Sequence, residues 1–119
     1  MVGPSASQVA AIVRLDGRRI VDWATFHQVF ADTFGFPDFY GRNMNAWIDC
    51  MSCLDDPPSG MSAIHVQRGG MMVLHLEGAD DFATRCPEQY KALMECTAFV
   101  NFRQKERGLS PLLALAPES

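Results

Sequence analysis

The sequence lacks any apolar run approaching the roughly 20 residues that a bilayer-spanning helix needs. Val9 to Val13 is too short, and too quickly followed by Arg14, to serve as the core of a signal peptide, so a cytoplasmic protein is expected. Basic residues are also scarce. Ten Lys and Arg stand against fourteen Asp and Glu, for a formal charge of -4 and a pI near 5.2. Proteins that track nucleic-acid phosphates carry a basic face, so direct nucleic-acid binding is not expected. Phosphate-cradling loops are missing too: Arg68-Gly69-Gly70 lacks the lysine and hydroxyl residue of a P-loop, and no Gly-x-Gly-x-x-Gly run follows a strand. His27, His65 and His75 are the only histidines, and no local motif sets a nucleophile beside any of them. No catalytic residue is therefore assigned, and the chain is expected not to be an enzyme.

What is present is one ordinary domain. The 119 residues are 48% hydrophobic and 20% charged, enough to close a core and far from the composition of disordered chains. The charge is unevenly spread. Between Asp22 and Asp81 nine acids face only Arg42 and Arg68, a net of -7, whereas residues 1–21 carry +2 and residues 82–119 carry +1. An acidic stretch of this kind serves either as a solvated face or as a field that draws a basic partner.

Hydrophobic periodicity gives the element order. Met1 to Ser7 is small and polar, so residues 1–8 read as a flexible segment preceding a domain over 9–119. Val9 to Leu15 is an apolar strand ending in an Asp16-Gly17 turn. Asp22 can cap a helix that repeats Phe26, Val29, Phe30 and Thr33 before Gly35 and Pro37 stop it. Met44, Trp47, Ile48 and Met51 then recur at helical spacing, with Asn45, Asp49 and Ser52 on the opposite face. Asp55 to Gly60 is a loop, Met71 to Glu77 a second core strand, and residues 61–67 a possible extra strand forming a hairpin with it across Gly69-Gly70. A short helix over Asp80 to Arg85, a long one from Pro87 to the Gly108 stop, and a strand over Pro111 to Ala116 complete the chain. Strands separated by helical crossovers imply a parallel sheet and a small α/β domain.

Cys50, Cys53, Cys86 and Cys96 lack an export signal, so reduced thiols are expected rather than disulfides. Cys50 and Cys53 fall late in the second helix, away from the N-terminus that would activate a thiol. Zinc would need two further ligands, and His65, His75, Cys86 and Cys96 show no paired spacing. No metal and no cofactor are expected. The turn and helix from Phe39 to Leu54 remain. Two aromatics, a glycine, exposed amides and Asp49 sit together there on the acidic stretch, a composition suited to protein binding.

The run Phe36-Pro37-Asp38-Phe39-Tyr40-Gly41-Arg42-Asn43-Met44-Asn45-Ala46-Trp47-Ile48-Asp49-Cys50-Met51, with Leu15-Asp16-Gly17 and Phe26-His27, resembles the barstar family of intracellular ribonuclease inhibitors. The resemblance implies a barstar-like α/β single domain with a three-stranded parallel sheet packed with helices. It also implies a cytoplasmic antidote that binds a basic, extracellular-type or toxin ribonuclease one to one, without touching nucleic acid or membrane. The 39–54 turn and helix would plug the nuclease active site, with Asp49 in the place of a substrate phosphate. The partner-binding residues carried over are Phe39, Tyr40, Gly41, Asn43, Asn45, Ile48, Asp49, Ser52 and Leu54. Tyr40, Gly41 and Asn43 match by identity, Phe39 keeps the ring of a family tyrosine without its hydroxyl, and Asn45 replaces an aspartate. Leu54 stands where the family's namesake has a tryptophan, Arg103 roughly where it has a glutamate, and the Asp55 to Gly70 insertion has no clear counterpart there. Two other readings remain open: a module of the same fold for a different basic partner, and a metal or thiol protein built on Cys50 and Cys53.

Overall fold

The computed structural model describes residues 9–119; the terminal segment over residues 1–8 lies outside the described residues. Three strands, β1 (Val9–Asp16), β2 (Met71–Glu77) and β3 (Leu113–Pro117), run parallel in the order β1-β2-β3. Parallel neighbours cannot be joined by a tight turn, and helices supply both crossovers. Helices α1 (Trp23–Phe34) and α2 (Met44–Ser52) lie between β1 and β2, and α3 (Ala79–Arg85) and α4 (Pro87–Glu106) lie between β2 and β3. This is the expected three-stranded α/β architecture.

The layers are two. Met72, Leu74 and Leu76 of β2 are buried and alternate with half-buried Met71, Val73, His75 and Glu77, so the helices cover one face of the sheet fully. Across the other face Arg14 approaches Glu77 at 3.5 Å and Glu118 at 3.7 Å, and Glu118 meets His75 at 3.2 Å. A parallel sheet buried on both faces would carry near-continuous apolar strands; the alternation in β2 records the one-sided cover.

Helix α1 starts where Asp22 accepts from the Thr25 amide at 2.8 Å while the Thr25 hydroxyl accepts from the Asp22 amide at 3.0 Å. This reciprocal box satisfies donors that a helix start otherwise leaves free. Phe26, Phe30 and Phe34, four residues apart, form one buried stripe. The Phe30 ring meets Phe26 at 4.8 Å and Trp47 of α2 edge-on at 5.7 Å, and Phe34 stacks on Phe36 at 5.8 Å. Phe36 in turn meets Tyr40 at 4.8 Å, so a run of rings leads from α1 to the turn that feeds α2. Such contacts add about 0.5–1.5 kcal/mol each beyond area burial.

The extra hairpin strand over residues 61–67 is not formed. The segment is irregular, and its polar groups bond elsewhere than to β2. The Ala63 amide and the Ser62 hydroxyl both donate to the Phe34 carbonyl, at 2.8 and 2.9 Å, and the Val66 amide donates to the Leu54 carbonyl at 2.9 Å. A helix end leaves carbonyls without intrahelical partners, and the Phe34 carbonyl captures the insertion that strand pairing would have used. The packing is tight at Gly35. Its φ of +66° is left-handed, and a Cβ placed there would lie 2.6 Å from the Ala63 Cβ. Gly35→Ala is expected to cost about 2 kcal/mol or more through backbone strain and displacement of the insertion, read as a lower urea midpoint. A midpoint equal to wild type would show that the insertion does not press on the end of α1.

Candidate functional site

The turn before α2 is built to hold that helix at a fixed angle. The Tyr40 amide donates to the Pro37 carbonyl at 2.9 Å, and Asn43 caps α2 by accepting from the Ala46 amide at 2.8 Å. The Asn43 amide group also donates back to the Gly41 carbonyl at 3.2 Å. A Cβ on Gly41 would press on Asn43 and Ala46 at 3.3 and 3.4 Å, which is why a glycine suits this close approach. Arg42 between them has a φ of +53°, a left-handed conformation unusual for a side-chain-bearing residue, and its guanidinium donates to Gln28 Oε1 at 2.6 Å.

Beneath the turn, Tyr40 is buried and its hydroxyl lies 2.6 Å from Nδ1 of His27, itself only 4% exposed. Burial pushes the Tyr40 phenol above its usual range and holds the His27 imidazole below its own; the Arg42 charge adds to the second effect. Both groups are thus neutral near pH 7, a state suited to one buried hydrogen bond between α1 and the turn.

Above the turn, Phe39 is 75% exposed. Asp49 is exposed one helical turn beyond exposed Asn45, and among the described residues no lysine, arginine or histidine forms an ion pair with its carboxylate. Phe39, Tyr40, Gly41, Ala46, Asp49, Cys50 and Met61 wall a cleft of about 250 Å³. Of the residues assigned from sequence, Phe39, Tyr40, Gly41 and Asp49 meet here, and Asn43 and Asn45 border them. Ile48 is half-buried, and Ser52 is half-buried with its hydroxyl oxygen enclosed and unpartnered. Leu54 is not brought to this surface: its side chain is wholly buried, because the chain turns inward after α2 toward the Val66 contact.

Met61 and His27 were not assigned. Met61 reaches the cleft from the insertion, which no periodicity connects to α2. His27 lies inside the α1 stripe, and only its register with Tyr40 reveals that it supports the turn. All four cysteines are free thiols. Burial pushes the Cys50 thiol up to about 11 and raises those of Cys53 and Cys96, which disfavours the reactive thiolate. Among the described residues no three His, Cys, Asp or Glu side chains come together as a metal-holding group. No helix of the described residues is long and apolar enough to cross a membrane.

Fold and site together define a two-layer parallel α/β domain that presents one helix and its entry turn, with an unpaired carboxylate at the edge of a cleft. The chain belongs to the Barstar family: the family's sequence profile, described as Barstar (barnase inhibitor), matches residues 10–115. A relative from Bacillus subtilis (strain 168), named "Putative ribonuclease inhibitor YrdF", is 39% identical over 44 residues, covering 37% of this chain and 48% of the relative. The match thus spans about half of that relative's length.

His27 generates a pH dependence with a definite sign. Its folded-state pKa lies below the ordinary 6.5 at which the unfolded chain takes up a proton. The unfolded state therefore binds the proton first, so this stability is fully present above about pH 6.5 and is lost as the pH falls toward the folded value. Urea unfolding from about pH 7.5 to about pH 5 should show wild type losing more stability than His27→Gln over the same range. Parallel curves for the two proteins would remove His27 as the source.

Proposed function

We propose that this protein is a stoichiometric inhibitor of a basic ribonuclease, which it blocks by seating the 39–54 turn and helix in the nuclease active site. The observation that carries this is Asp49: an exposed carboxylate, unpaired within the described residues, fixed on a capped helix within the acidic stretch. A ribonuclease active site gathers cations around the substrate phosphate. A carboxylate held on a rigid helix forms charge-assisted hydrogen bonds to such cations with little further ordering. Phe39 supplies an exposed ring beside it, and Gly41 allows close approach. Family membership and the printed name of the relative support the same reading.

In this reading the protein turns over no substrate. It acts in the cytoplasm as the antidote to a nuclease destined for export, and its net charge of -7 between Asp22 and Asp81 steers the encounter. Asn45 is the residue that tunes the choice of partner, because its amide offers neutral bonds where a carboxylate would offer charged ones. Ile48 contributes through the rim of α2, and Ser52 and Leu54 through the packing beneath it.

Titration of a small basic ribonuclease should end at one inhibitor per nuclease, and association should slow as salt rises. Asp49→Asn keeps the shape and removes the charge, leaving the partner's buried cations unpaired; a loss of about 2 kcal/mol, or about thirtyfold in affinity and mostly in dissociation rate, is expected. Asn45→Asp should tighten binding to the same nuclease. Equal dissociation rates for Asp49→Asn and wild type would reject the phosphate-mimic role, and sub-stoichiometric inhibition would reject the stoichiometric one.

A further inference from the structure

Helix α4 buries Gln89, Leu93, Thr97, Val100 and Gln104 against the domain, so its opposite face should be polar. It is not. Met94, Phe99 and Phe102 are 43%, 46% and 54% exposed, and Ala98 is exposed among them. At positions 94, 98, 99 and 102 of a helix these four side chains form one continuous apolar strip. Scattered exposed apolar residues are ordinary on a soluble protein, but two phenylalanines and a methionine on adjoining turns form a patch.

The charges around the strip identify what it fits. Lys91 precedes it, Glu95 lies within it, and Arg103, Lys105 and Glu106 follow it; among the described residues none of the five is in an ion pair. The Arg103 guanidinium lies over the Phe99 ring at 5.8 Å, on the same flank of the helix. Two copies of α4 packed side by side in the same direction would set Lys91 against Lys91, Glu95 against Glu95 and Arg103 against Arg103. Packed in opposite directions about a two-fold axis beside Ala98 and Phe99, they set Glu95 abreast of Phe102 and Arg103 of the second copy and Lys91 abreast of Glu106, with Lys105 beside Ala92, so the Glu95–Arg103 pairs carry the match. The opposed helix dipoles then also attract. A basic nuclease has the poorer match here, because the face sets three cations, Lys91, Arg103 and Lys105, against the two acids Glu95 and Glu106.

We infer that the outer face of α4 is a self-association surface, on which a second copy of this chain packs its own α4 antiparallel to form a two-fold dimer. The interface is isologous: Phe99 and Phe102 of each copy cover the strip of the other, and each Glu95–Arg103 pair occurs twice. It is small, resting on one helix from each copy, so the dimer is a reversible one that forms as concentration rises. The inference is independent of what α2 binds.

Sedimentation velocity over a concentration series tests it, with no partner added. Wild type should pass from monomer to dimer. Glu95→Arg and Arg103→Glu should each raise the dissociation constant about tenfold, since each change affects two exposed pairs. The two changes combined should restore the wild-type value, because reversed charges still meet opposite charges. Phe102→Asp should abolish the dimer while leaving the thermal midpoint unchanged, as the side chain is exposed in the monomer. A wild type monomeric at every attainable concentration overturns the inference. So does a dimer that tolerates the single reversals, or a combined variant as weak as either single one.

Discussion

The contact on which the rest depends is the meeting of Phe30 with Trp47 across α1 and α2. Both rings are wholly buried, and together they tie α2 to α1 on the covered side of the sheet. Phe26 and Phe34 extend the stripe along α1, and Phe36 and Tyr40 carry it into the entry turn. The exposed face of α2 is therefore aimed by buried rings on the other side of the same helix. Close-packed interiors transmit displacement, so a change in volume at Phe30 or Trp47 would move Asp49 without touching it.

The sheet and helices were legible because their periods are distinct. Strand β2 is bounded by Gly69-Gly70 and Gly78, and α1 shows Asp22 before a phenylalanine at every fourth residue. Asp49 and Asn45 were legible for the same reason, since the apolar stripe of α2 fixes which residues lie opposite. Tyr40 and Leu54 lie at the ends of this pattern, where helical phase no longer decides orientation. Both side chains turn inward, Tyr40 to His27 and Leu54 into the core.

The 61–67 segment illustrates a different limit. Its composition permits a strand, and Gly69-Gly70 permits the turn that a hairpin would need. The competing partner was the free carbonyl at the end of α1, made available by Gly35 and visible only once α1 and the insertion share a location. Met61 reaches the cleft by that route. A residue brought by a long-range capture carries no local signature, so the third wall of the cleft could not have been read from α2 or its entry turn.

The site keeps several local features that stability alone would not favour. Arg42 holds a left-handed backbone where glycine would be unstrained, Phe39 leaves most of its ring in water, and Asp49 has no internal cation within the described residues although Arg42 lies in the same segment. Gln28 binds the Arg42 guanidinium, which keeps one of the two cations of the acidic stretch occupied on the α1 side of the turn. A free guanidinium near Asp49 would neutralise the carboxylate intramolecularly, and any external cation would then have to displace it. Departures from local preference that cluster at one place are what the proposed partner surface would require. In the proposed docking mode the tether from Arg42 to Gln28 belongs to the site together with Asp49, because it leaves that charge unspent.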